Sequence, residues 1–377
     1  MGTLLFSVAL VLLAAVFFAW LLTRLFLFPP DLSRYDEPAT ARATPRTEAS
    51  PQIERVYDIL RDFSERAGPM GSRGRLERVR ALMDSLFDEE GTSPSPGDVR
   101  IEPVETDELR GEWVVHSRAE PGRRLLYVHG GAFFAGSPRS HRPLTVAMSR
   151  RARAAVFAVD YRLLPEHRRL DGILDCQAAY RYVLEHGPEG PTPLDRLFVA
   201  GDSAGGNLTL VLSAWARDHG LRAPDGVVAF SPSTDVTLSS PTFRDNLDSD
   251  VMLGPLFRFL QRIPRWILLL VGWLTTRISP RHPILSPLFG ALHDLPPTLV
   301  QASEVEIVLG DAARYVNKAR SEGSPVTLQT WPGQVHVWQH VSFRPETDEA
   351  LDEVERFLEN CTESDAPPFV EQSHAHS

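Results

Sequence analysis

The chain has 377 residues and a formal charge of −10, from 49 acidic against 39 basic side chains. That length holds one large α/β core with a cap, or two average domains; the acidic balance excludes nucleic acid as a partner, because neutralising phosphates needs a basic face. Two cysteines, Cys176 and Cys361, stand far apart in no metal-type spacing, so neither a disulfide framework, a metal nor any other cofactor is expected.

Residues 3–28 are apolar after Thr3 except for Ser7, Thr23 and Arg24, and the run stops at Pro29-Pro30. At ~1.5 Å per residue such a helix exceeds the ~30 Å hydrocarbon layer, so residues 1–29 read as a single-pass transmembrane anchor contacting membrane lipid. The rival is a secretory signal peptide; the run is longer than its usual apolar core, and no small-x-small cleavage site follows. Arg24, Arg34, Arg42 and Arg46 lie at or beyond the far end of the span, which places the rest of the chain in the cytoplasm by the positive-inside rule. Residues 30–50 have the Pro, Thr, Ala and Arg composition of a linker. In 51–98, Ile53, Val56, Tyr57 and Leu60, then Leu76, Val79, Leu82, Met83 and Leu86, recur at helical spacing and predict two amphipathic helices.

From 99 to 241, and again from 288 to 361, short apolar runs alternate with helical ones. Strands are predicted at Val99–Val104, Trp113–His116, Leu125–Val128, Val156–Val159, Leu197–Ala200, Val227–Phe230, Thr298–Gln301 and Val326–Thr330, and helices at Ile173–Glu185, Leu208–Asp218, Asp311–Ser321 and Glu346–Leu358. This pattern describes an α/β fold: a mainly parallel eight-stranded sheet with helices on both faces, its first two or three strands antiparallel. The alternation breaks at 242–287, where Trp266–Leu274 forms a continuous apolar run flanked by Arg258, Arg262, Arg265 and Arg277. That run is too short to span a bilayer, and it suits either a buried cap or lid helix or a surface that dips into the membrane. The tail, 362–377, is polar and reads as solvated disorder, His374 and His376 included.

The chemistry concentrates at Gly201-Asp202-Ser203-Ala204-Gly205-Gly206-Asn207, which joins the strand at Leu197–Ala200 to the helical run from Leu208. A Gly-x-Ser-x-Gly between strand and helix is a nucleophile elbow, a sharp turn that lifts a serine hydroxyl above a sheet, and it makes the chain a candidate serine hydrolase. His129-Gly130-Gly131-Ala132-Phe133 follows another buried strand, where a second backbone donor for an oxyanion hole is expected.

Together with Asp160-Tyr161-Arg162-Leu163-Leu164-Pro165-Glu166-His167 and Trp331-Pro332-Gly333-Gln334-Val335-His336, these motifs resemble the hormone-sensitive-lipase-like carboxylesterases of the α/β-hydrolase fold, the group of arylacetamide deacetylases and steryl acetyl hydrolases. The resemblance runs from about Arg124 to Phe357 and departs at Ala132, where the family carries a third glycine. It implies Ser203 as nucleophile and His336 as base, in the order serine, acid, histidine that this fold uses. Aligning the helix from Asp311 implies Glu306 as the triad acid, with Glu304, Asp235 and Asp311 as alternatives. It also implies an oxyanion hole from the amides of Gly130, Gly131 and Ala204. His129 and Asp160 are implied to be structural, supporting the loop and pairing with Arg162, and Asp202 a local capping residue.

The helices of 51–98 are implied to cap the site and wall its acyl pocket. Membrane-anchored relatives place the catalytic part in the lumen, of the endoplasmic reticulum or another membrane, against the charge rule, and the side stays open; the sequon Asn360-Cys361-Thr362 matters only in that lumenal case. The expected activity is hydrolysis of a small lipophilic ester of short to medium acyl length. Two alternatives stand beside it: an amidase or deacetylase with the same triad, and a catalytically silent ligand-binding protein on the same scaffold.

Overall fold

The computed structural model describes residues 2–36, 42–43, 49–69, 71–85 and 98–362. Leu86 and the tail beyond Thr362 lie outside the described residues. In chain order the elements are α1 (Gly2–Phe26), β1 (Arg42–Ala43), α2 (Ile53–Ala67), α3 (Arg75–Met83), β2 (Val99–Glu105), β3 (Arg110–His116), β4 (Arg123–Val128), α4 (Arg142–Ala152), β5 (Ala155–Val159), α5 (Arg169–Glu185), a small hairpin of β6 (His186–Gly187) and β7 (Gly190–Pro191), β8 (Arg196–Asp202), α6 (Ala204–Asp218), β9 (Gly226–Phe230), α7 (Thr242–Asp245), α8 (Gly254–Leu260), α9 (Arg265–Thr276), β10 (Thr298–Ser303), α10 (Leu309–Ser321), β11 (Val326–Trp331) and α11 (Pro345–Asn360).

All eight strands expected from the apolar runs are present, β1 joins them as a ninth in the main sheet, and β6 and β7 stand apart as a hairpin. The sheet order is β1-β11-β10-β9-β8-β4-β5-β3-β2. Every neighbouring pair from β1 to β5 is parallel, and β3 and β2 are antiparallel additions at the far edge. The central strands are buried on both faces, as continuous apolar runs such as Leu197-Phe198-Val199-Ala200 require. On one face α4 and α11 set Leu144, Met148, Leu351 and Val354 against Leu125, Val156, Phe198 and Val228. The other face is covered by α5, α6 and α10. Helix α4 was not among the expected helices. It opens with an arginine and a proline, but Leu144, Met148 and Ala152 recur every fourth residue and are fully buried.

One segment differs from its linker reading, and the end of the expected anchor is docked beside it. Residues 30–50 contain Leu32 and Tyr35, which bury on α10, with Asp36 ion-paired to Arg314, and the backbone of β1 pairs with β11. A few apolar side chains in a polar stretch were enough to dock it. The end of α1 is docked as well: Thr23 and Leu27 are buried, and α1 packs on α9. Its preceding apolar side chains, Leu4 to Val16 among them, stay exposed.

Candidate active site

Parallel strands deliver their loops to one edge, and four such loops meet here: those after β4, β8, β10 and β11. The turn after β8 places Ser203 at φ +52° and ψ −114°, a conformation an L residue adopts only under constraint. The constraint is close packing of β8 and α6 against the β4 loop. A Cβ on Gly205 would lie 2.0 Å from the Val128 carbonyl oxygen and one on Gly201 2.5 Å from it, so both positions exclude any side chain.

His336, on the loop after β11, puts Nε2 2.9 Å from Ser203 Oγ and Nδ1 2.6 Å from Glu306 Oε2. Glu306 is buried and takes a second hydrogen bond on Oε1 from the Ser303 amide at 2.9 Å. Burial opposes charge on the His336 ring, but the hydrogen bond and negative charge of Glu306 outweigh it and raise the imidazole above its ordinary value. The other acids weighed from the sequence sit elsewhere. Glu304 is exposed and accepts from Thr330 Oγ1 at 3.0 Å; Asp235 accepts from the Thr237 amide at 2.8 Å; Asp311 accepts from the amides of Thr234 and Asp235 at 3.0 Å.

The oxyanion loop corrects the expected donor set. The Gly130 N–H is directed inward, to Asp202 Oδ1 at 3.0 Å and His141 Nε2 at 3.2 Å, so it has no capacity for a ligand. The amides of Gly131, Ala132 and Ala204 have no hydrogen-bond partner among the described residues. Gly130 is nonetheless irreplaceable, since its Cβ would sit 2.1 Å from Asp202 Oδ2. Gly131 has φ +113°, and the turn continues through Ala132 at +55° and Phe133 at +67°.

Asp202 is therefore more than a local cap. Its carboxylate also accepts from Tyr127 Oη at 2.8 Å and faces His141 at 3.3 Å. Burial works against its charge, but His141 and His340 outweigh it and hold the carboxyl well below the usual range. His129 supports the loop as expected, bonded through Nδ1 to the Gly130 carbonyl at 2.8 Å and stacked on Tyr161 at 4.2 Å; burial, reinforced by His141, lowers it to about 3. The expected Asp160–Arg162 pair does not form. Arg162 pairs with Asp175 of α5 at 2.6 Å, and Asp160 faces Arg110 at 3.9 Å.

Residues that sequence reasoning passed over hold the acid loop. Asn246 Nδ2 donates to the carbonyls of Glu304 and Glu306 at 3.0 and 2.9 Å, Ser249 Oγ to that of Val305 at 3.0 Å and Thr242 Oγ1 to that of Ile307 at 2.7 Å. Buried Asp250 accepts from the Ile307 amide at 3.0 Å. The backbone around Glu306 is thus clamped by side chains of the 242–250 segment. On the other sides, α2 packs Ile53 and Val56 with Trp331, Val335 and Trp338, beside His336. From α3, Arg80 donates to the Phe134 carbonyl at 2.7 Å and pairs with Glu166 at 2.9 Å, bracing the oxyanion loop.

A protein-family profile described as alpha/beta hydrolase fold matches residues 125–340. An acetyl-hydrolase of Streptomyces hygroscopicus is 35% identical over 318 residues, 83% of this chain and 98% of that protein. An esterase of Acinetobacter venetianus is 34% identical, covering 74% of this chain and 87% of its own. Among solved structures, an esterase from the bacterial hormone-sensitive lipase family is 30% identical with a TM-score of 0.71, matched over its whole length and 84% of this chain.

Proposed function

The chain belongs to the hormone-sensitive-lipase-like esterases of the α/β-hydrolase fold and is an ester hydrolase, and from that premise we propose that it works through a Ser203–His336–Glu306 triad on lipophilic esters at a membrane. The observation that carries the triad is the unbroken pair of hydrogen bonds from Ser203 Oγ through His336 to Glu306, at 2.9 and 2.6 Å.

In this reading Ser203 Oγ attacks the acyl carbonyl carbon while His336 Nε2 takes its proton. Glu306 accepts the Nδ1 hydrogen, which fixes the tautomer that leaves Nε2 free to act as base, and its charge stabilises the imidazolium. The oxyanion forms between the amides of Gly131, Ala132 and Ala204, each such donor contributing roughly 3–4 kcal/mol to transition-state stabilisation. Collapse breaks the ester C–O bond, His336 protonates the departing alkoxide, and water repeats the sequence on the acyl-enzyme to release the acid. An amide substrate would use the same groups. A silent binding scaffold is disfavoured because no triad member is lost.

Membrane anchoring rests on α1, whose stretch Leu4–Phe26 holds an 18-residue window of mean hydropathy 2.7 with no buried residue. The preference for apolar esters of short to medium acyl length is supported by the apolar run Trp266–Leu274 of α9, beside a cavity of about 460 Å³ lined by residues of 238–268 and by no triad residue. Turnover of p-nitrophenyl esters of graded acyl length by wild type, Ser203→Ala, Glu306→Gln and Glu304→Gln tests both parts. Loss in the first two variants alone, with an optimum at short to medium chains, is expected. Unimpaired Glu306→Gln with a silent Glu304→Gln moves the acid, and a flat chain-length profile removes the substrate assignment.

A further inference from the structure

A chain with 49 acidic residues has none from Val251 to His293, while Arg258, Arg262, Arg265, Arg277 and Arg281 all fall within that span. The same span carries α8 and α9, and its apolar side chains are turned outward: Phe259, Val271, Trp273 and Leu274 are 46, 51, 37 and 44% exposed. In a soluble helix that many large apolar side chains face the core; on α9 only Leu269 is fully buried. Arg262 and Arg277, at the two ends of this surface, are exposed and have no ion-pair partner among the described residues, and Arg258 meets only the largely exposed Asp248.

The surface is continuous with the anchor. Helix α1 packs on α9, and Phe28, just past its end, lies between the guanidinium groups of Arg24 and Arg265 at 4.5 and 5.1 Å. Arg265 is held in turn by the Thr237 carbonyl at 2.7 Å. The membrane helix is therefore fastened to α9 and does not lead to it through a free tether, so a bilayer taken up by α1 meets α9 at the level where α1 leaves it. Apolar side chains flanked by exposed arginines are the composition of an interfacial helix on an anionic surface.

We propose that α8 and α9 form a second membrane contact, seated in the headgroup boundary of an anionic lipid bilayer with Val271, Trp273 and Leu274 among the acyl chains and Arg258, Arg262 and Arg277 on the phosphates. This rests on the anchor reading of α1. It makes the bilayer the store from which ester substrate reaches the enzyme.

The test uses the full chain in vesicles of phosphatidylcholine with or without phosphatidylserine, with Cys361→Ser as background and an environment-sensitive fluorophore on Val271→Cys or Leu274→Cys. Leu174→Cys, an equally exposed apolar position on α5, is the control. Lipids brominated on their acyl chains are expected to quench the labels at 271 and 274 and to leave that at 174 bright. In Arg262→Glu/Arg277→Glu the quenching at 274 is expected to weaken in the anionic vesicles alone, with hydrolysis of a water-soluble ester unchanged. Equal brightness at 274 and 174 in a chain that resists alkaline carbonate overturns this proposal and leaves the anchor standing. Release by carbonate overturns both. Charge reversal with no effect, or with the same effect in neutral vesicles, overturns the anionic partner.

Discussion

A buried imidazole resists charge, and His336 overcomes that resistance through Glu306. Only neutral His336 can accept the Ser203 proton, so activity is lost as pH falls through its pKa; because that pKa is raised, the acid limb of kcat/KM is expected to have its midpoint above the ordinary value of 6.5. Glu306→Gln removes the raising influence and should move that midpoint down while lowering kcat by about 10⁴-fold, the scale set by removing an equivalent triad carboxylate. A pH–rate profile of both proteins checks the sign; a midpoint that stays in place assigns the limb to another group. Steric effects at the elbow are equally specific. Gly205→Ala sets a Cβ 2.0 Å from a carbonyl and should cost more than about 2 kcal/mol in chemical denaturation, whereas Gly272→Ala, with nothing within 4 Å in a helix, should gain about 0.5–1 kcal/mol. Motif and chain order singled out Ser203 and His336, whereas Glu306 came only from aligning the helix that begins at Asp311 with the family; the three side chains lie within hydrogen-bond reach of one another. That the Gly130 amide is already taken was not legible: it depends on Asp202 holding it, a contact between residues 72 apart.

At the scale of elements, every long strand was legible, because burial on both faces writes a continuous apolar run into the chain. The 242–250 segment was not, since its work is done by Thr242, Asn246, Ser249 and Asp250, polar side chains with no period that reach backbone groups some sixty positions away. These contacts hold the backbone of residues 304–307. Asn246→Ala releases two carbonyls at once and is expected to lower kcat roughly tenfold, about 1.4 kcal/mol, with little change in KM, because it loosens Glu306 and not the binding surface. Steady-state kinetics with a short ester decides: a fall in KM-linked terms alone would assign Asn246 to the pocket.

Over the whole molecule, the catalytic core and the apolar helix form one docked body. Solved relatives matched over 99–100% of their own length cover 83–84% of this chain, so a deletion of residues 1–36 is expected to keep esterase activity on soluble substrates. It also removes Thr23, Leu27, Leu32 and Tyr35 from their buried sites and the Asp36–Arg314 pair, and should lower the melting temperature while releasing the protein from membranes. Unchanged stability would contradict the docking. The composition of 30–50 hid this, because two buried apolar side chains, Leu32 and Tyr35, among many polar ones leave no pattern.

Covalent capture is the most direct measurement. Intact-mass and peptide mapping after a fluorophosphonate probe should find a single adduct, on Ser203, formed by wild type, formed far more slowly by His336→Ala and absent from Ser203→Ala. Undiminished labelling or ester turnover in Ser203→Ala would contradict the account.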